Sequence, residues 1–271
     1  MSAGGSGDAA FTGSIAEIYE TVLVPMIFAE PARALAEVVA AASGADLLET
    51  AAGTGALTRE LARIERFDIV ATDLNGPMVK AAGGRPGVER VRWQVADALE
   101  LPFPDRCFDV VACQFGAMFF PDKVRGFHES LRVLRPGGMF AFNVWDRIET
   151  NPVAMVVTEA LCAATPAEPL HFMRRTPHGY FDADRIRGEL TEAGFDRITA
   201  EYLEGVSRTT AELAALAFCQ GTPLRGEIER HSTLDLDSAT TIAHRELAER
   251  YGPGEFEAPT RWLQVTARRP A

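Results

Sequence analysis

Two glycines and an aspartate are the first residues of this chain whose types and spacing indicate a chemistry. Gly53 and Gly55 lie in a run of small residues between a predicted strand and a predicted helix. Because glycine has no Cβ, the backbone of such a turn can approach a ligand closely. Asp73 lies 20 residues after Gly53, at the end of the next predicted strand, where a carboxylate can accept hydrogen bonds from a ribose. The alternative interpretation is an ordinary turn, with Asp73 as a helix cap.

Two cofactors contain a nucleoside that this arrangement could hold, a nicotinamide dinucleotide and S-adenosylmethionine. Glu49 ends the first predicted strand, where it would repel a pyrophosphate but attract the ammonium and sulfonium groups of S-adenosylmethionine. The third small residue of the dinucleotide fingerprint is replaced by Thr58. The residues therefore favour S-adenosylmethionine, with S-adenosylhomocysteine as the product, and an NAD(P)-dependent reductase is the alternative.

The elements that must position these residues alternate between strands and helices. Strands are predicted at residues 46–50, 67–72, 88–95, 108–115 and 139–145. Helical patterns separate them at residues 57–65, 77–82 and 124–134. This alternation predicts an α/β fold with a Rossmann-like, doubly wound and mostly parallel sheet. The run at 108–115 is nearly all apolar, which is typical of a strand in the middle of such a sheet.

A single domain is expected over residues 14–271. Its predicted parts are a flexible tail at residues 1–13, helical lid additions at 14–45 and 147–255, a cofactor-binding core at 46–146 and a closing strand at 260–267. Pro25 and Pro31 interrupt the first helical pattern, which predicts two helices with a kinked join. A further strand is predicted within the second helical region, at residues 195–207.

Five short motifs follow one another through the predicted core. They are LETAAGTG at 48–55, Asp73, DALELPF at 97–103, FDVV at 108–111 and LRVLRPGG at 131–138. Together they resemble the class I S-adenosylmethionine-dependent methyltransferases, in the type 11 branch related to the ubiquinone and menaquinone biosynthesis enzymes. The resemblance implies a seven-stranded sheet of order 3-2-1-4-5-7-6 with strand 7 antiparallel. One position departs from the family pattern, since Ala51 stands where the family has a glycine.

The resemblance also implies which residues bind the cofactor. Glu49 and the backbone at Ala51, Gly53 and Gly55 would face its methionine part, while Asp73 would hold the ribose. The adenine would contact Leu74, Met78, Asp97 and Ala98, and the reactive centre would be bordered by Gln114 and Phe115. From its position in the first helical pattern, Tyr19 is expected to fold over the cofactor as a lid. Ordinary core packing is the alternative for Met78, and turn capping is the alternative for Asp97.

Aromatic residues beyond the predicted strand ends suit an aromatic or otherwise apolar methyl acceptor. They are Phe119, Phe120, Trp145, Phe172 and Tyr180. In-line methyl transfer can rely mainly on proximity, so a general base is optional. For a hydroxyl acceptor the candidates are His171 and His178, because histidine titrates near neutral pH. O-, C- and N-methylation stay open, and so does a non-catalytic protein that binds S-adenosylmethionine.

Composition and charge argue against several other classes of protein. The 271 residues carry a net charge of −11 without a basic patch, which argues against nucleic acid as a partner. The four cysteines are scattered, with no spacing typical of a metal site, so no metal is expected. No apolar run is long enough to span a membrane and no secretory signal is recognisable, which predicts a cytoplasmic protein, either monomer or homodimer.

Overall fold

The computed structural model describes residues 13–271, and its sheet has the predicted topology. The strands are β1 (Asp46–Glu49), β2 (Asp68–Asp73), β3 (Arg92–Val95), β4 (Phe108–Gln114), β5 (Leu134–Trp145), β6 (Asp196–Thr210) and β7 (Glu255–Arg268). They lie in the order β3-β2-β1-β4-β5-β7-β6. β7 is antiparallel to β5 and β6, and every other pair is parallel. The predicted sheet order is confirmed.

Helices cover both faces of the sheet. They are α1 (Gly13–Ile18), α2 (Ala29–Ala40), α3 (Ala56–Ala62), α4 (Gly76–Gly83), α5 (Lys123–Val133), α6 (Pro152–Ala164), α7 (Phe172–Arg175), α8 (Ala183–Glu192), α9 (Ala211–Gln220), α10 (Leu224–Glu229) and α11 (Leu236–Tyr251). On one face Leu35 of α2 and Leu57 of α3 pack over β4. On the other, Phe127 of α5 packs on Phe140 and Phe142 of β5. Both clusters are buried, as expected for a doubly wound sheet.

Two strand boundaries differ from the predicted ones. β3 begins at Arg92 rather than at residue 88, because the Val91 N–H donates to the Val88 carbonyl and closes a turn. β5 begins at Leu134 rather than at residue 139, because Leu134 already pairs with Phe108. The register then shifts before Met139, and Gly137 has a φ of 75° in the intervening segment.

The first helical segment is one continuous run rather than two helices with a kinked join. A π-helix, Tyr19–Phe28, connects α1 to α2, and Pro25 lies inside it. The N–H of Ala29 donates to the carbonyl of Val24, five residues earlier, which is the π-helical pattern. Residues 1–12 of the predicted tail lie outside the described residues, and Gly13 already belongs to α1.

The antiparallel pair β6–β7 extends beyond the end of its neighbour β5. β5 ends at Trp145, which pairs with Trp262, whereas β6 and β7 continue to pair as far as Thr210 and Glu255. Pro259 lies in this extension, where β5 has ended and offers no carbonyl to pair with the N–H that proline lacks. Residues 147–255 therefore contribute a long strand as well as helices. α6, α9 and α11 pack together, with α9 against β6 and α6 against β7.

Candidate functional site

A cavity of about 440 Å³ opens at the carboxyl ends of β1, β2, β4 and β5. This is the edge at which open α/β sheets bind ligands. The π-helix, α6, α7, α9 and the β6–β7 extension supply the opposite walls. Ten of the predicted cofactor residues line it: Tyr19, Ala51, Gly53, Asp73, Leu74, Met78, Asp97, Ala98, Gln114 and Phe115. Glu49 and Gly55 are not among the lining residues.

The glycine loop after β1 is fixed by its two neighbouring strands. The N–H of Thr50 donates to the Ala112 carbonyl of β4, and the N–H of Ala52 donates to the Thr72 carbonyl of β2, both at 2.9 Å. Gly53 has a φ of 57°, and a Cβ built on it would meet nothing within 4 Å. The bare backbone at this position thus faces open space in the cavity, as the sequence predicts for a ligand-binding turn.

Ala51 adopts a left-handed backbone conformation, which explains why the family has glycine here. Its φ is 52°, a conformation that costs an L-residue about 1–2 kcal/mol. Its methyl group lies against Gly116, where a Cβ would come within 2.4 Å of the Ala51 Cβ and 2.7 Å of the Cys113 Sγ. Residue 116 must therefore be glycine as long as residue 51 carries a methyl group.

Asp73 lines the cavity at the end of β2 and is only 7% exposed. Its Oδ2 accepts from the Gly53 N–H at 2.8 Å, and its Oδ1 accepts from the Asn75 N–H at 2.8 Å and from the Asn75 side chain at 3.1 Å. Burial raises the pKa of Asp73, and these hydrogen bonds oppose the rise. The cap position of α4 belongs to Asn75, so Asp73 is not the helix cap. It instead ties the glycine loop to the end of β2.

Glu49 lies behind the glycine loop rather than in the cavity wall, which corrects the expectation of direct contact. Its Oε2 accepts from the Thr58 hydroxyl at 2.6 Å, while its Oε1 is buried without a partner among the described residues. Burial raises the pKa of Glu49 to about 8. Gly55 also lies behind the loop, where a Cβ would come within 3.0 Å of the Trp93 ring. Both residues shape the loop from its rear side.

The predicted adenine side has one buried and several open residues. Met78 is 2% exposed and Leu74 is 56% exposed, yet both line the cavity. The Asp97 Oδ1 accepts from the Leu99 N–H at 2.8 Å, so this carboxylate caps a turn and also faces the cavity. Ala98 completes this side.

Gln114 and Phe115 connect the end of β4 to the lid. The Gln114 Nε2 donates to the Phe28 carbonyl at the end of the π-helix, at 2.9 Å. Phe115 has a φ of 50°, and its ring stacks on Trp145 with centroids 4.0 Å apart. Phe28 meets Phe115 edge-on at 5.4 Å. An aromatic cluster therefore borders the centre of the cavity.

The π-helix forms part of the cavity wall, and Tyr19 is one of its lining residues. The Tyr19 ring stacks on Phe28 at 4.8 Å, and burial together with nearby Asp73 raises its pKa above the ordinary value. Next to it, Glu20 pairs with Arg59 of α3 at 2.9 Å and with Arg85 at 3.5 Å. The lid is thus fastened to the glycine-loop half of the molecule by two ion pairs.

The remaining walls are mostly aromatic and aliphatic. Four of the five predicted aromatic residues line the cavity: Phe119, Phe120, Trp145 and Phe172. Tyr180 does not, because its hydroxyl donates to Glu189 of α8. Further lining residues, which were not predicted from the sequence, come from other elements. They are Leu23, Ile27, Phe28, Met118, Asn151, Val153, Ala154, Ser207, Phe218, Thr222 and Thr260. No local motif marks these positions, since only the tertiary fold brings them together.

The two predicted histidines have different surroundings. His171 is exposed at the start of α7 and does not line the cavity, so the expectation that it faces the acceptor is wrong. His178 is 5% exposed, lines the cavity, and has its Nδ1 2.7 Å from the Asp146 carbonyl oxygen. Burial lowers the pKa of His178 to about 4.

Neither a metal-binding group nor a membrane-spanning helix is found in the described part of the chain. Within residues 13–271, no three or more His, Cys, Asp or Glu side chains are grouped so that they could hold a metal ion. In the same part of the chain, no helix has the length and apolarity needed to cross a membrane.

Comparisons with known proteins give the family. Residues 48–142 match the methyltransferase domain family Methyltransf_11. The ubiquinone/menaquinone biosynthesis C-methyltransferase UbiE of Stutzerimonas stutzeri (strain A1501) is 30% identical over 185 residues, which cover 62% of this chain and 72% of UbiE.

Solved structures share the fold at lower identity. Phosphoethanolamine N-methyltransferase 2 of Haemonchus contortus, solved with phosphomonomethylethanolamine and S-adenosylhomocysteine, has a TM-score of 0.61 and 18% identity, covering 96% of this chain and 59% of its own. The [4+2]-cyclase SpnF has a TM-score of 0.55 and 20% identity, covering 90% of this chain and 82% of its own. By sheet order, motifs and its similarity to UbiE, the chain belongs to the class I S-adenosylmethionine-dependent methyltransferases of the UbiE type.

Proposed function

We propose that this enzyme transfers a methyl group from S-adenosylmethionine to a small, uncharged aromatic acceptor inside the cavity. One observation carries the proposal: a single cavity joins Gly53 and Asp73 of the predicted cofactor site to the aromatic wall around Trp145. The sheet core supplies the cofactor half. The π-helix, α6, α7, α9 and the β6–β7 extension supply the acceptor half, so residues 13–271 act as one domain.

The charges around the cavity fit a cationic cofactor. Glu49 and Asp73 lie behind and beside the glycine loop, and no arginine or lysine lines the cavity among the described residues. A dinucleotide pyrophosphate would therefore meet the Asp73 carboxylate without a compensating cation. The sulfonium and ammonium of S-adenosylmethionine would instead be attracted. Glu49 is protonated in the ligand-free protein up to about pH 8, so its carboxylate adds to this attraction only if the bound cation promotes its ionisation.

In the proposed complex, Asp73 would hold the ribose hydroxyls, Leu74 and Met78 would contact the adenine, and Ala51 and Gly53 would border the methionine part. When bound, the cofactor supplies an electrophilic methyl group on a sulfonium. The chain's contribution is to exclude water and to hold the acceptor in line with that methyl group. Gln114 and Phe115 fix the border between the two halves, because one anchors the π-helix and the other stacks on Trp145.

The acceptor half selects against charged molecules. The ionisable lining residues are Tyr19, Asp73, Asp97 and His178, and the first three belong to the cofactor half. A phosphate or carboxylate on the acceptor would be buried without a cationic partner, which is costly. The relatives named as ubiquinone/menaquinone biosynthesis C-methyltransferases support an aromatic, quinol-type acceptor for this chain. The ring-lined wall supports the same class.

Turnover with acceptors of contrasting charge tests the proposal. The enzyme is incubated with S-adenosylmethionine and either a short-chain hydroquinone or phosphoethanolamine, and S-adenosylhomocysteine is quantified by mass spectrometry. We expect product with the hydroquinone and background with phosphoethanolamine. Background with both compounds, despite binding of S-adenosylhomocysteine, would favour the non-catalytic alternative. Product with phosphoethanolamine alone would refute the uncharged acceptor.

A further inference from the structure

His178 is the one ionisable residue that lines the acceptor half of the cavity within the described chain. It lies between α7 and α8 and is 5% exposed. Its ring is tilted toward Trp145, with centroids 6.2 Å apart, and Trp145 in turn stacks on Phe115 at the cofactor border. Trp145 therefore bridges His178 and the border at which methyl transfer is proposed.

The hydrogen bond to Asp146 fixes the tautomer of His178. A backbone carbonyl can only accept, so Nδ1, 2.7 Å from the Asp146 oxygen, carries the proton. In the neutral ring Nε2 is then an acceptor with a free lone pair. Within residues 13–271 the structure shows no hydrogen-bond partner for Nε2.

Charged groups around the ring would stabilise a proton that Nε2 receives. The Asp146 carboxylate is 1% exposed and binds Arg261 at 3.2 Å and the Thr150 hydroxyl at 3.0 Å. Asp146 and Glu149 favour the protonated ring, whereas burial and Arg174 oppose it. The ring is therefore neutral at pH 7 and has negative groups nearby when it becomes charged.

We propose that His178 is a catalytic residue whose Nε2 accepts the hydroxyl proton of a phenolic or enolic acceptor during methyl transfer. This inference rests on the proposed function and narrows its acceptor to molecules with an ionisable hydroxyl. The O–H bond breaks and its proton moves to Nε2. On the oxygen route the released electron pair forms the new bond to the methyl carbon. On the carbon route it forms a C=O bond while the conjugated π pair bonds the methyl carbon, and a phenolic ring carbon then loses its own proton to water. The carbon–sulfur bond breaks, its pair stays on sulfur, and the imidazolium later loses its proton to water.

Two variants separate this role from packing. In His178→Asn, the shorter amide can still donate to the Asp146 carbonyl but offers nothing at the Nε2 position. In His178→Gln, the longer amide restores an acceptor near Nε2, although it cannot take up a proton. The matched control is His171→Asn, which changes the exposed histidine outside the cavity. Melting temperatures and S-adenosylhomocysteine binding are measured first for all four proteins.

The probes are 4-nitrophenol, at a pH at which it is protonated, and 4-nitroanisole, which has the same ring without a hydroxyl proton. Each is titrated by absorbance into the S-adenosylhomocysteine complex. We expect His178→Asn to weaken 4-nitrophenol binding about tenfold, the loss of one hydrogen bond, and to leave 4-nitroanisole binding within about twofold. His178→Gln should recover most of the 4-nitrophenol affinity, and His171→Asn should behave as wild type.

Equal effects of His178→Asn on both probes, or no effect on either, would overturn the role of Nε2. Failure of the wild-type complex to bind 4-nitrophenol would overturn the phenolic acceptor. If His178→Asn does not fold, the test rests on His178→Gln. A folded His178→Gln protein that binds 4-nitrophenol weakly relative to wild type would also count against the role of Nε2. Failure of the proposed function would be distinguishable from these results, because the wild-type protein would then not bind S-adenosylhomocysteine.

Discussion

At the scale of single residues, the site depends on two buried carboxylates with different tasks. Asp73 accepts hydrogen bonds from the glycine loop and faces the cavity, whereas Glu49 supports the loop from behind. The sequence predicted both as cofactor residues because an acid at a strand end is a recognisable signal. It could not distinguish them, since the direction of a side chain at a strand end depends on how the following loop folds back.

Removing the Asp73 carboxylate should weaken cofactor binding and destabilise the loop. Asp73→Ala loses the acceptor for the Gly53 N–H and, in the proposed complex, hydrogen bonds to the ribose. Each hydrogen bond to a charged group contributes about 1.5–3 kcal/mol, so calorimetry should show at least about tenfold weaker S-adenosylhomocysteine binding. Asp68→Ala, at the exposed start of the same strand, is the control. Equal affinity of both variants would contradict the ribose assignment.

Glu49 should make the ligand-free protein less stable as pH rises. Its pKa is raised from 4.5 to about 8, so the folded state holds this proton across a range where the unfolded state has lost it. The free energy of unfolding therefore falls between about pH 4.5 and pH 8, by up to about 5 kcal/mol. The melting temperature of Glu49→Gln should therefore rise relative to that of wild type as the pH increases from about 4.5 to about 8.

The quantity to compare is the difference in melting temperature between wild type and Glu49→Gln, because other groups titrate as well. His178, whose folded pKa is lowered to about 4, contributes stability that increases with pH between about 4 and 6.5 in both. The exposed Glu65→Gln variant is the control and should follow wild type. Parallel curves for wild type and Glu49→Gln would show that Glu49 is ionised throughout.

The contact between Ala51 and Gly116 should appear as a coupling between the two positions. Gly116→Ala places a methyl group 2.4 Å from the Ala51 Cβ, and overpacking of this kind costs about 1–3 kcal/mol. Adding Ala51→Gly removes that clash and should recover part of the loss, while the Cys113 Sγ remains 2.7 Å away. Urea unfolding of both single variants and the double variant measures the coupling. Additive effects would contradict the contact.

At the scale of elements, the lid is a π-helix fastened by Glu20. The sequence predicted helices here because apolar residues recur at helical spacing, but it predicted a kink at Pro25. The wider π-helical turn instead accommodates the proline within a continuous run. Glu20 then reaches Arg59 and Arg85 on the cofactor side. No pattern in one sequence identifies such pairs, because their members are separated by tens of residues.

Breaking these ion pairs should loosen the lid. Glu20→Gln removes both, and partly exposed pairs contribute up to about 1 kcal/mol each. Hydrogen exchange of the amides in residues 19–28 should accelerate several-fold, and S-adenosylhomocysteine should dissociate faster. Glu17→Gln, an exposed glutamate of α1, provides the control. Unchanged exchange in Glu20→Gln would show that aromatic packing alone holds the lid.

At the scale of the whole molecule, the sheet was more predictable than the cavity. Strands such as β4 are recognisable because parallel strands buried on both faces are continuously apolar. The acceptor half is built from the π-helix, α6, α7, α9 and the β6–β7 extension, which meet only in the folded chain. Ser207 and Thr260, for example, reach the cavity because β6 and β7 continue past Trp145. In the proposed function, specificity therefore depends on the part of the chain without motifs.

A crystal structure of the complex with S-adenosylhomocysteine tests the central claim most directly. We expect the ribose hydroxyls to lie within hydrogen-bond distance of the Asp73 carboxylate and the methionine part to lie along Ala51 and Gly53. The sulfur should be directed toward the space bordered by Phe115, Trp145 and His178. A ribose bound away from Asp73, or a sulfur directed away from the aromatic wall, would contradict the account.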